Sequence, residues 1–144
     1  VYKEKYFETY KGVKEFMDSS VENAKKYGYA KTILNRRRKI PELNAENFQT
    51  RRYGTRIAMN MPLQGSAADI IKLAMLRVHS ELKSRNLQSK LILQIHDELI
   101  VEAPENEIDN ASKILSEEME NACQMKVRLR ADVNVGRTWY EAKD

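Results

Sequence analysis

The sequence predicts an α+β fold in which helices come first and a short antiparallel sheet follows. Three observations carry this. Apolar residues recur at three- and four-residue steps near the start of the chain and again from about Gln49 to Leu82. Between Leu91 and Ala103 they fall instead at every second position. The second half then runs strand, strand, helix, strand, the order of a sheet with a segregated helix rather than of alternating parallel units.

The elements follow in order. Tyr2, Tyr6, Tyr10, Val13 and Met17, with Phe7 and Phe16 beside them, mark an amphipathic helix. Gly12 is expected to bend or divide it, and Gly28 to end the run that continues through Val21 and Ala24. Tyr29 to Leu34 and Arg37 to Ile40 read as a hairpin turning at Asn35-Arg36, because Asn tolerates a left-handed backbone and Pro41 closes the second strand. Residues 42–50 are polar and irregular. A helix resumes near Gln49 and is expected to be interrupted at Pro62, which lacks an N–H and disfavours helix at Met61.

Ser66 and Asp69 have the spacing of a capping box for the next helix, whose apolar face is Ala67, Ile70, Ile71, Ala74, Val78 and Leu82. Leu91, Leu93, Ile95, Leu99, Val101 and Ala103 span too much for one strand, so the segment is expected to fold at His96-Asp97 into a hairpin. Pro104 opens a helix with Ile108, Ala111, Leu115, Met119 and Ala122 inward. Val127, Leu129, Ala131, Val133 and Val135 alternate as a last strand ending at Gly136.

A chain of 144 residues, 42% hydrophobic and 32% charged, has the size and composition of one globular domain, not of a disordered or membrane protein. No run approaches the length of a membrane span and no signal-peptide pattern is present. Val1 already stands in a helical pattern, so the sequence is expected to begin inside a longer chain. Cys123 is alone, which rules out an internal disulfide and suits the cytoplasm. Charge is segregated. Lys31 to Arg56 holds eight bases against two acids, and Asp97 to Asn121 holds nine acids against one base. A basic segment of that density suits backbone phosphates; the plainer alternative is a solvated face.

Chemistry concentrates in Gln94-Ile95-His96-Asp97-Glu98-Leu99. Asp97 occupies a position in the alternation where an apolar residue is expected, and an ionised carboxylate near a core calls for a partner such as a hard cation. The alternative is a polar turn. The run Leu-Gln-Ile-His-Asp-Glu-Leu closely resembles the third polymerase motif of the family A DNA polymerases, the bacterial polymerase I group. Arg56 to Asp69 (Arg-Ile-Ala-Met-Asn-Met-Pro-Leu-Gln-Gly-Ser-Ala-Ala-Asp) resembles that family's stretch entering the palm helix. The segment from Thr32 through Arg36-Arg37-Arg38 to Pro41 is similar to its basic fingers hairpin, with Asn35 where many members have Gly. With the Trp139-Tyr140 ending, the resemblance covers nearly the whole chain.

The resemblance implies a DNA-directed DNA polymerase acting in replication and repair by two-metal nucleotidyl transfer. Asp97 would coordinate both Mg²⁺ ions, Glu98 would be an auxiliary carboxylate near them, and His96 would contact the primer terminus. Arg56, Asn60, Gln64 and Gln94 match residues facing the minor groove near the primer end, where donors test base-pair shape without reading sequence. Arg36, Arg37 and Arg38 would bind DNA. The implied partners are primer–template DNA and deoxynucleoside triphosphates. Residues 1–55 would complete a fingers subdomain, with its basic hairpin at about 29–41, and residues 56–144 a palm subdomain with the catalytic hairpin at 91–103.

No stretch of the type Asp-Tyr-Ser-x-Ile-Glu-Leu-Arg, which carries the family's second catalytic Asp, occurs in these residues. The family's nucleotide-binding helix is expected to lie upstream of these residues, so these residues alone are expected to be inactive and to self-associate through uncovered palm surface. The competing reading is a non-catalytic nucleic-acid-binding module in which the basic hairpin does the work. A His-Asp phosphohydrolase needs several further histidines, and His79, on a face read as packing, is the only other one.

Overall fold

In the computed structural model, which describes residues 2–143, the chain opens with helices α1 (Tyr2–Thr9) and α2 (Lys11–Tyr27). They part at Tyr10 rather than at Gly12: Tyr10 leaves helical geometry (φ −112°, ψ 63°), while Gly12 sits in the first turn of α2. Gly28 closes α2 in the left-handed region, at φ 76°, with its N–H on the Ala24 carbonyl. The tyrosine stripe builds no core. Tyr2, Tyr6 and Tyr10 are exposed, and only Ala24 of α2 is fully buried, with Val21 packed beside it.

Strands β1 (Tyr29–Lys31) and β2 (Arg37–Lys39) form an antiparallel hairpin shorter than expected, in the register Ala30 opposite Arg38. Five residues, 32–36, connect the strands where the sequence suggested two. The Thr32 N–H bonds the Arg36 carbonyl, and Asn35, at φ 63°, is the left-handed residue that ends a turn begun at Thr32. A short 3-10 turn, Pro41–Asn44, then leads to helix α3 (Phe48–Ser84).

Pro62 does not interrupt α3, which runs through it for 37 residues. An internal proline costs a helix about 3 kcal/mol. On the turn before it Ile57, Ala58 and Met61 are all buried, and large apolar side chains each recover roughly 1.5–3 kcal/mol on burial, so packing outweighs the backbone penalty. The expected capping box at Ser66 is therefore absent. Ser66 lies mid-helix, where its hydroxyl donates to the Pro62 carbonyl one turn back.

Two compact units result, Val1–Ala67 and Ala68–Asp144. The core of the first is Ala24, Ala30, Ile40, Leu43, Ile57, Ala58 and Met61. That of the second is Ala74, Val78, Leu82, Leu99, Ala111, Ile114 and Ala122. Ala67, expected on the inward face of α3, is exposed, as is His79.

Strands β3 (Lys90–Ile95) and β4 (Glu98–Glu102) form the second hairpin. A two-residue turn at His96-Asp97 pairs Ile95 with Glu98 and Gln94 with Leu99, so odd positions of β3 face even positions of β4. One inward face of odd-numbered residues is then impossible without an extra residue. The register slips between Leu91 and Leu93, which brings Leu91 opposite Val101 and turns Leu93 to the other face, where it is exposed. Helix α4 (Ile108–Glu120) buries Ala111 and, unforeseen, Ile114.

The root of this hairpin is tied to the approach to α4. Glu107 accepts the Gln88 and Ser89 N–H groups and the Ser89 hydroxyl, at 3.0, 2.9 and 2.6 Å. Those bonds, the one from Gln88 first, hold its pKa below the ordinary glutamate value of 4.5.

The last strand does not form. Residues 127–135 have no ladder partner among the described residues, and Val127 and Val135 are exposed. Helix α4 supplies side chains in place of a ladder: the Ala131 N–H donates to Glu120 Oε1 and the Ala131 carbonyl accepts from the Ser116 hydroxyl. Alternation marks a segment suited to a sheet, but a strand exists only where a neighbour offers backbone groups.

Candidate functional site

The candidate residues fall into three groups. In the first, the continuity of α3 keeps Arg56, Asn60 and Gln64 at four-residue steps on one helix, and all three are exposed. Ile57, Ala58 and Met61 bury the other side of the same turns, which fixes the direction of the row. Arg56 lies over the Tyr53 ring at 5.8 Å.

The second group is the basic hairpin, whose three arginines are not equivalent. The guanidinium of Arg36 donates to the Gly65 carbonyl at 3.0 Å, so it is used within the protein. Arg37 stacks over the Tyr29 ring at 4.8 Å. Arg38 is exposed and its side chain has no partner among the described residues. Arg51 also serves the fold, donating to the Ala45 and Glu46 carbonyls at 2.8 and 2.6 Å. The charge of residues 31–56 therefore overstates the cations available to a polyanion.

The third group is the tip of the second hairpin. His96, Asp97 and Glu98 are exposed and Gln94 is half-buried, its amide donating to the His96 carbonyl at 2.7 Å. Asp97 is thus a turn residue in solvent, not a carboxylate pressed against a core. His96 adopts φ 53°, a conformation that costs a non-glycine residue about 1–2 kcal/mol. Gly or Asn would make this turn more cheaply.

Asp97 and Glu98 offer hard oxygen donors on neighbouring residues, the donor type Mg²⁺ takes. Among the described residues no group of three or more His, Cys, Asp or Glu is placed to hold a metal ion. No helix among the described residues is long and apolar enough to cross a membrane.

A family model described as DNA polymerase family A matches residues 1–141. The chain belongs to that family. It is 51% identical over 139 residues to the DNA polymerase I of Caldicellulosiruptor bescii, 49% over 140 to that of Bacillus subtilis and 48% over 140 to that of Bacillus caldotenax. It spans 16% of the length of each of these relatives while 96–97% of it is matched. Among solved structures it is similar to the POL domain of Pol1 from M. smegmatis, which was determined in complex with DNA primer-template and dNTP. That match has a TM-score of 0.96 and 42% identity, covering 98% of this chain and 25% of the other. Family A polymerases use Mg²⁺.

Sequence reasoning missed the residues that hold the groups in place. Ser66 bonds Ile33 across 33 positions, and Glu107 bonds Ser89 across 18. No local periodicity encodes such pairs. The one available signal was Gly65, a poor helix former inside a helical pattern, which points to a close packing contact.

Proposed function

We propose that this chain works as the fingers-to-palm portion of a DNA-directed DNA polymerase that performs template-directed nucleotidyl transfer in replication and repair. The carrying observation is the exposed Asp97-Glu98 turn in a chain whose family match runs over residues 1–141. Residues 1–55 are assigned to fingers and 56–144 to palm, with α3 passing from one to the other. Bound Mg²⁺ would supply Lewis-acid stabilisation of charge on the transferring phosphoryl group. Asp97 is the residue that would hold it, with Glu98 as the auxiliary carboxylate.

The other side chains bind and orient. Arg56, Asn60 and Gln64 present donors along one helix face, suited to the acceptors that every Watson–Crick pair shows in the minor groove. His96 and Gln94, at the turn, would meet the primer terminus. Arg38, with Arg37 beside it, would meet backbone phosphate.

The test is primer extension with Mg²⁺ and all four deoxynucleoside triphosphates, run on the complete polymerase containing this chain and on the 144 residues alone. The complete protein should extend primers as the template directs, and the 144 residues should not, because positioning and charge neutralisation are incomplete in them. Template-directed incorporation by the purified 144 residues, or none by the complete protein, would overturn the reading. A purely DNA-binding module would instead bind DNA with strong salt dependence, and no substitution at Asp97 would change primer extension by the complete protein.

A further inference from the structure

Gly65 costs α3 about 1 kcal/mol relative to alanine, so its presence mid-helix calls for a compensating contact. That contact is the basic hairpin. A Cβ on Gly65 would meet Thr32 Cγ2 at 2.7 Å, closer than two carbon atoms approach. On the same turn of helix the Ser66 hydroxyl accepts the Ile33 N–H at 2.9 Å while donating to the Pro62 carbonyl. The Gly65 carbonyl accepts Arg36 Nη2 at 3.0 Å. Thr32 is buried, and its hydroxyl accepts the Arg36 N–H at 3.1 Å, so the hairpin end of the contact is itself fixed.

We infer that Gly65 and Ser66 are positioning residues: with Thr32, Ile33 and Arg36 they form a strut that sets the basic hairpin at a fixed place beside Gln64. This rests on the polymerase reading given above. None of the five strut residues needs to touch DNA. Gln64 precedes Gly65 directly, so a shift of the strut displaces the minor-groove row relative to the cations of Arg37 and Arg38. Displacements of about 1 Å are enough to cost up to a hundredfold in a reaction that depends on alignment.

The test uses the complete polymerase. Gly65→Ala forces a methyl group into Thr32 Cγ2, and Thr32→Ser removes that carbon while keeping the hydroxyl that holds Arg36. Gly65→Ala should lower kcat for extending a matched primer end by about tenfold or more, with primer–template affinity changed by less than about threefold. Thr32→Ser alone should stay near wild type, and the double variant should recover most of the rate. Ser66→Ala should lower kcat in the same way, and Ser66→Thr, which keeps the hydroxyl, should restore it. A Gly65→Ala enzyme of wild-type rate, or a double variant as slow as Gly65→Ala, would overturn the strut. Equal losses in rate and affinity would overturn it too. Amide exchange at Ile33, which should speed up in Ser66→Ala, reads the strut without any catalysis. A complete protein that shows this exchange change but never extends a primer would refute the polymerase reading and leave the strut standing as a structural contact.

Discussion

Asp97→Asn is the substitution that separates chemistry from folding most cleanly. Asp97 is exposed in a two-residue turn, and its side chain has no hydrogen-bond or ion-pair partner among the described residues. Asn has the same shape and is equally at home in turns, so folding stability should change by no more than about 0.5 kcal/mol. The charge is what is lost. An aspartate holding metal at a transferring phosphoryl group acts mainly in the transition state, so kcat should fall by about three decades, which is roughly 4 kcal/mol at 1.36 kcal/mol per decade. Chemistry should therefore suffer at least about eight times more than folding, a gap that neither a folding defect nor a binding defect produces.

The assay is single-turnover incorporation by the complete polymerase at saturating primer–template, with melting and primer–template affinity measured on the same preparations. Affinity should barely move, because it is spread over many phosphates. Glu98→Gln is the internal control: Glu98 begins β4 opposite Ile95 and should cost far less. A D97N enzyme that keeps its rate within tenfold, or melts in proportion to its lost activity, would refute the reasoning. A dead E98Q beside an active D97N would move the metal-holding role to Glu98.

Gln64→Ala or Arg56→Ala should slow extension of matched primer ends far more than it weakens DNA binding, as rate and affinity titrations on one preparation will register; equal losses would indicate a general binding or folding role. Arg38→Ala should reduce the salt dependence of DNA affinity by about 0.9 in slope, the share of one phosphate contact, and Arg36→Ala by less, since Arg36 is engaged with Gly65. Glu107 and Glu120 both titrate below the ordinary 4.5, Glu107 chiefly through the Gln88 N–H and Glu120 chiefly through Arg128. Their stabilising contribution is complete above pH 4.5 and is lost as pH falls through the lowered values, so acid melting curves of Glu107→Gln should show a weaker pH dependence in that window. The 144 residues alone should self-associate in sedimentation experiments, because Ile92 and Leu93 expose apolar side chains on a hairpin with no further strand among the described residues, and Val127 and Trp139 are exposed as well.

What the sequence made legible was whatever local physics decides. The αL requirement after α2 was visible in Gly28, and the fold at His96-Asp97 in the length of an alternation that no single strand sustains. Two of the misreadings share a cause: what lies beside the segment, or does not, overrides a local rule. Pro62 is a helix breaker by itself, yet Ile57, Ala58 and Met61 keep it inside a helix by burial against Ala30, Ile40 and Leu43. Residues 127–135 alternate as a strand should, yet pair with α4 side chains because no described strand lies beside them. The same asymmetry divides the candidate site. Its candidate residues could be proposed from short stretches that resemble the family's motifs, since Asp97 and Glu98 are contiguous and Arg56, Asn60 and Gln64 are regularly spaced. Its mechanical support could not, since Ser66 meets Ile33 only after the hairpin has folded back on α3. For the arginine cluster the consequence is quantitative. Counting charge gave three equivalent cations at 36–38, whereas the fold withdraws Arg36 and partly screens Arg37, leaving Arg38 as the residue whose removal a phosphate should register most.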